Sequence, residues 1–172
     1  MIARDYQRAA VAAARDKTAS HGNTLLMLPV GSGKTCIAGF YIGEEAAADP
    51  ASRFLVVQHT DELIEQNRRT IGHITELPTS IVKAERDDWS GRVVFGSIQT
   101  LGRATRRDRM TAVSHLVIDE CHRAAADSYQ ALIGHARSLT PEVKLLGLSA
   151  TPDRGDGRSL IRFRPNFRTE LW

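Results

Sequence analysis

The chain has 172 residues, of which 42% are hydrophobic and 25% charged, with a mean hydropathy of -0.27. At ~150 residues per domain this is one domain, long enough to bury a core without disulfides or a structural metal. A motor made of two nucleotide-gripping lobes does not fit this length, and no apolar run approaches the ~18 residues of a membrane span.

The alanine-rich residues 9–14 are shorter than the usual ~7–15 residues of a signal-peptide core and lie between Asp5 and Asp16, so they are not read as one. Cys36 and Cys121 have no CxxC partner and no histidine at zinc-ligand spacing. Their apolar surroundings make them reduced core thiols of a cytoplasmic protein. The net charge of +3 is uneven: residues 1–86 balance 10 basic against 10 acidic side chains, whereas residues 87–172 hold 13 against 10. The excess gathers at Arg103, Arg106, Arg107 and Arg109 and again at Arg158, Arg162, Arg164 and Arg168. Such clusters suit a polyanion, although a charge run by itself is usually a solvated face.

In chain order, residues 4–18 carry Tyr6, Ala10, Val11 and Ala14 at helical spacing. A punctuated stretch leads to a short apolar strand at 24–28, a glycine loop at 29–33 and a helix over 34–48 that Asp49-Pro50 stops. Residues 54–57 are a strand and 61–71 a helix. Strands follow at 79–83, 92–97 (entered through Trp89-Ser90-Gly91), 115–119 and 144–149, with a helix over 128–138. Strands that are apolar throughout and alternate with helices predict an α/β, three-layer domain around a mainly parallel sheet. No composition shift marks an internal linker.

Between the first strand and the second helix stands Leu28-Pro29-Val30-Gly31-Ser32-Gly33-Lys34-Thr35. This is the context of a phosphate loop. Glycines allow successive N–H groups to converge on one phosphate chain, and the helix adds its N-terminal dipole. Lys34 would reach the terminal phosphates, and the Thr35 hydroxyl would ligate Mg²⁺. Leu28 occupies the place of the pattern's first glycine. A plain glycine turn is the bland alternative, and it leaves the Lys-Thr pair without a reason.

A phosphate loop alone says only that a nucleoside triphosphate binds. The apolar run Leu116-Val117-Ile118 ends in Asp119-Glu120-Cys121-His122. An Asp at a strand's carboxyl end can hold Mg²⁺, and the neighbouring Glu120 can polarise water for in-line attack on the γ-phosphate. A second carboxylate of this kind makes water the expected nucleophile.

These segments together resemble the first, RecA-like motor domain of superfamily-two DEAD/DEAH-box helicases and translocases. Arg4-Asp5-Tyr6-Gln7 resembles the adenine-reading glutamine motif, and residues 29–35 resemble motif I. Residues 57–63 resemble motif Ia, and residues 94–101, with Gly96-Ser97-Ile98-Gln99-Thr100, resemble motif Ib. Asp119-Glu120-Cys121-His122 is a DECH form of the acidic box, and Ser149-Ala150-Thr151 resembles motif III. The run from Gly147 through Asp156-Gly157 is similar to the branch holding excision-repair helicases and restriction-enzyme motor subunits.

The resemblance implies ATP and Mg²⁺ as cofactors, with Arg4 and Gln7 at the adenine and Gly31, Ser32, Gly33, Lys34 and Thr35 around the phosphates. Thr35 and Asp119 would hold the metal, with Lys34, Asp119 and Glu120 as the catalytic set. His122, Ser149 and Thr151 would couple nucleotide state to a nucleic acid, DNA before RNA, gripped at its phosphates by His59, Thr60, Ser97, Gln99 and Thr100. The arginines of 103–109 would extend that track.

It also implies a second RecA-like lobe, in cis or in trans, that supplies an arginine finger worth ~10³–10⁵ in rate. Residues 1–157 are then the ATP-binding domain and 158–172 a tail at the start of a linker. Slow hydrolysis by this lobe alone is the expectation. The alternative is a nucleotide-gated binding module that does not hydrolyse.

Overall fold

The computed structural model describes residues 1–121 and 127–150 and the backbone of residues 169–171. Helix α1 (Asp5–His21) ends where the Gly22 N–H donates to the Thr18 carbonyl, and strand β1 (Asn23–Met27) follows at once. Helix α2 (Lys34–Ala48) starts directly after the glycine loop. Strand β2 (Phe54–Gln58) leads to α3 (Asp61–Thr75), whose first turn carries Asp61 and Glu62 against the helix dipole. Strands β3 (Thr79–Lys83) and β4 (Arg86–Asp87) form a small antiparallel hairpin, followed by β5 (Val93–Ser97).

Two single-turn helices, α4 (Ile98–Leu101) and α5 (Ala104–Arg107), precede β6 (His115–Ile118). Helix α6 (Asp127–Leu139), β7 (Lys144–Ser149) and β8 (Thr169–Leu171) complete the described elements. The sequence-predicted elements are all present with ends shifted by a few residues. Strands β4 and β8 and helices α4 and α5 are additional. Each is too short to carry a periodic apolar signal, and β8 lies within the predicted tail.

The strands form one eight-stranded sheet in the order β4-β3-β5-β2-β6-β7-β1-β8. Every neighbouring pair is parallel except β3 with β4. The mainly parallel three-layer expectation therefore holds. Helices α1, α2 and α3 cover one face through Val11, Ile37, Tyr41, Ile64 and Ile71, and α4 and α6 cover the other through Leu101, Tyr129, Leu132 and Ile133. Both faces are buried, so the strands read as continuous apolar runs rather than alternating ones. Cys121 belongs to the second core, but Cys36 is half-exposed beside Met1, a correction to its expected core position. Its place in the first turns of α2, next to the solvent-facing loop, accounts for this.

Opposite the glycine loop, at the start of β6 and β7, the layers are held by an ion cluster. Glu45 of α2 accepts from Arg15 at 2.8 Å, from Lys144 at 2.8 Å and from His115 Nε2 at 3.0 Å. Burial opposes ionisation of Glu45, yet the hydrogen bonds from Lys144, Arg15 and His115 outweigh it and hold the carboxyl at about 2. Burial, with the nearby Lys144 charge, lowers the His115 pKa and favours the neutral ring.

Candidate nucleotide and nucleic-acid site

In an open parallel sheet, ligands sit beyond the carboxyl ends of the strands, where connections part to opposite sides. Here β1 runs into the glycine loop and α2, then crosses over β7 and β6 to reach β2. The loop at the end of β1 and the acidic pair at the end of β6 therefore flank the end of β7, where Ser149 lies fully buried. The Ser149 carbonyl accepts from the Leu28 N–H at 2.8 Å, which ties the loop's entry to β7.

Gly31 and Gly33 have φ of +82° and +76°, in the region where a side chain is strained. A Cβ on Gly33 would stand 2.9 Å from Gln7 Nε2. Gln7 is buried, its Oε1 accepts from the Arg4 N–H at 3.0 Å, and its Nε2 donates to the Ser32 carbonyl at 3.4 Å. The Tyr6 hydroxyl donates to the same carbonyl at 2.9 Å. The predicted adenine-reading segment thus bears directly on the phosphate loop, and the Gln7 amide is directed at that loop.

Lys34 Nζ lies 3.6 Å from Glu120 Oε1, with Lys34 mostly buried and Glu120 half-exposed. Glu120 has φ +51°, an uncommon conformation for a residue with a side chain, and its N–H donates to Asp119 Oδ1 at 3.0 Å. The Asp119 N–H is held by the Val57 carbonyl at 3.0 Å. Burial, and then the Glu120 charge, push the Asp119 carboxyl above its ordinary value. The Glu120 N–H, the Lys34 charge and the Asn67 amide oppose this.

Asn67 is the residue that sequence reasoning missed. Its Oδ1 accepts from the Thr35 hydroxyl at 3.0 Å, and Asn67 lines one small cavity with Thr35 and Asp119. The signal was present: Ile64, Asn67 and Ile71 form the buried stripe of α3, and an amide in such a stripe needs polar partners.

The donor set suits Mg²⁺ delivered with a nucleotide. Among the described residues no three His, Cys, Asp or Glu side chains gather as a self-sufficient metal cage. Thr35 and Asp119 offer a hydroxyl and a carboxylate on one cavity, and Mg²⁺ commonly takes its remaining ligands from phosphate and water.

The nucleic-acid residues divide. His59 and Thr60 are half-exposed and Gln99 is exposed. Ser97 is fully buried, where its Oγ caps α4 by accepting from the Thr100 N–H at 3.3 Å and donates to Thr100 Oγ1 at 3.1 Å. Thr100 Oγ1 in turn accepts from the Ala84 N–H at 3.2 Å. In this structure both hydroxyls cap and brace local backbone.

Gln99, Thr100, Arg103, Arg106 and Arg109 do line one open groove of about 660 Å³ with Asp61 and Asp87. Asp87 accepts from Arg109 at 2.8 Å and lies 3.4 Å from Arg106, so the expected basic track contains its own counter-charge. The hydrogen bond from Arg109 holds the Asp87 carboxyl below its ordinary value; burial opposes this, and Trp89 and Arg106 add to it. The predicted roles of His122, Thr151 and the arginines of 158–168 lie outside the described residues.

The family model for the res subunit of type III restriction enzymes matches residues 1–154. IRC3 of Saccharomyces cerevisiae is 29% identical over 170 residues, which is 92% of this chain and 25% of that protein. The ATP-dependent DNA helicase fml1 of Schizosaccharomyces pombe is 31% identical over 163 residues, 87% of this chain and 19% of its own length. The chain thus spans a quarter or less of these relatives. The Pyrococcus furiosus Hef helicase domain superposes with a TM-score of 0.77 at 23% identity, covering 99% of this chain and 38% of that one, a likeness of fold. With nearly nine-tenths of its length matched, the chain belongs to the family of the type III restriction enzyme res subunit.

Proposed function

We propose that this chain is the ATP-binding first lobe of a DNA helicase or translocase, able to hydrolyse ATP slowly by itself and completed by a second RecA-like lobe. The observation that carries this reading is the convergence beyond the strands' carboxyl ends of Lys34 and Glu120, 3.6 Å apart, with Thr35, Asn67 and Asp119 lining one small cavity. Residues 1–157 form the lobe and 158–172 begin the connection to its partner. Among the described residues no helix is long and apolar enough to cross a membrane, and the protein's proposed place is the cytoplasm.

In this reading the loop N–H groups and Lys34 bind the phosphates, with Arg4 and Gln7 placed toward the base. Mg²⁺, held by Thr35 and Asp119, would neutralise charge on the β- and γ-phosphates. Glu120 accepts a proton from the attacking water as its oxygen bonds to the γ-phosphorus and the bond to the β–γ bridging oxygen breaks. Before that step, as the nucleotide binds, Lys34 changes partner from Glu120 to phosphate, which leaves the carboxylate available for the water. His59, Thr60, Gln99 and the groove arginines would hold a DNA backbone without reading its sequence.

The test is the ATPase rate of this chain alone, with DNA, and with DNA plus a separately made second lobe. Turnover is expected to be lowest alone and to rise when both are added. A rate that neither addition changes would overturn the half-motor reading.

A further inference from the structure

The most unusual buried chemistry lies beneath the phosphate loop, between α2, α3 and the sheet. Asn67 receives the Thr35 proton on its oxygen and shares one small cavity with Asp119. Next to it Gln58, only 1% exposed, has neither its amide oxygen nor its amide nitrogen partnered among the described residues. Gln58, Thr35, Asn67 and Asp119 line one cavity of about 10 Å³. That is room for a single water, and these groups supply its polar partners. Burying amides in this way is unfavourable for packing alone, so the cluster calls for a functional account.

A hydroxyl that ligates a cation must turn its lone pairs to the metal and place its proton elsewhere. The Asn67 oxygen is that acceptor. The nitrogen of the same amide is the matching donor for a carboxylate ligand. An amide offers both from one rigid planar group. We propose that Asn67 is a positioning residue for metal binding: by accepting from Thr35 and donating to Asp119 it fixes two Mg²⁺ ligands in mutual register.

This rests on the proposed function, in which Thr35 and Asp119 hold the metal of a Mg²⁺–nucleotide. Outer partners of metal ligands typically contribute 10–100-fold in metal affinity, and the same is expected here.

The experiment titrates a fluorescent N-methylanthraniloyl-ATP into the 172-residue chain across a magnesium series that begins in chelator. Asn67→Leu keeps the volume and removes both hydrogen bonds; Asn67→Ser is the second variant, should the first unfold. Ile64→Ala destabilises the same helix from outside that cavity's lining and reports a purely structural effect.

The expected result is a magnesium midpoint raised about tenfold or more in the Asn67 variants, with affinity in chelator unchanged and with no midpoint shift in Ile64→Ala. An unchanged midpoint in a folded Asn67 variant, or an equal shift in Ile64→Ala, overturns the proposal. If the parent chain itself binds nucleotide without any magnesium dependence, the metal-site reading beneath the proposal fails first, and the two failures are told apart.

Discussion

Lys34 Nζ and Glu120 Oε1 face each other at 3.6 Å, so the cation expected at the phosphates and the carboxylate expected at the water are paired with one another. Glu120 is also held in the left-handed region, at φ +51°. Non-glycine residues kept there cost about 1–3 kcal/mol and cluster where chemistry needs a fixed geometry. Two substitutions separate the two features.

Glu120→Gln keeps the shape and removes the charge. Nucleotide affinity should hold or rise slightly, because Lys34 loses a competing partner. Turnover in the presence of DNA and a second lobe should fall about 10²–10⁴-fold. Glu120→Gly should also abolish stimulated turnover while raising thermal stability by about 1 kcal/mol through relief of the backbone strain. Denaturant unfolding paired with an ATPase assay reads both effects; a glycine variant less stable than the parent would refute the strain argument.

Gly33→Ala is expected to weaken nucleotide binding by at least tenfold and to cost about 1–2 kcal/mol of stability. Its φ of +76° disfavours any side chain, and the added carbon would meet Gln7 Nε2 at 2.9 Å. Gln7→Ala in the same background should recover part of the stability and none of the strained φ. A double-variant cycle measures that recovery, and strict additivity would mean that the two residues do not meet.

Glu45 links folding to pH. Its carboxyl is held at about 2 against an ordinary 4.5, so its contribution is complete above pH 4.5 and is lost as pH falls toward 2. Glu45→Gln should lower stability at neutral pH by about 2 kcal/mol, allowing for solvent screening at Arg15 and Lys144. That corresponds to about 4–8 °C in Tm for a chain of this size. The variant should also flatten the acid limb of the stability profile. Thermal melts between neutral and acid pH test this; an unchanged acid limb would show that the cluster contributes nothing through Glu45.

Asp87 sits among the groove arginines, pairing with Arg109 at 2.8 Å and Arg106 at 3.4 Å. Asp87→Ala should tighten binding of a short DNA several-fold and steepen its salt dependence, since two more cations become available to phosphates. Arg109→Ala should shift both quantities the other way. Fluorescence anisotropy over a salt series decides: if Asp87→Ala weakens binding, the hairpin's shape matters more than its charge.

Much was legible along the chain. Continuous apolar runs such as Phe54-Leu55-Val56-Val57 can be buried on both faces only in a covered parallel sheet, and they announce it. The phosphate loop and the Asp119-Glu120 pair are local patterns, carried by neighbours in sequence. Their positions at strand ends followed from that same alternation. Asn67 was not legible as a partner of Thr35 because the two are 32 residues apart, and only the packing of α2 against α3 brings them together.

The sequence by itself determined the secondary elements, the layer count and the two chemical motifs, because each depends on periodicity or on adjacent residues. Only the tertiary structure decided which strands lie between the motifs, that Ser97 and Thr100 turn inward, and that Asp87 folds back on the arginines. The reason is physical: a hydroxyl or a charge in a sequence has no fixed partner. Its role is set by whichever donor or acceptor the fold places within about 3 Å, and that choice is made between residues distant along the chain.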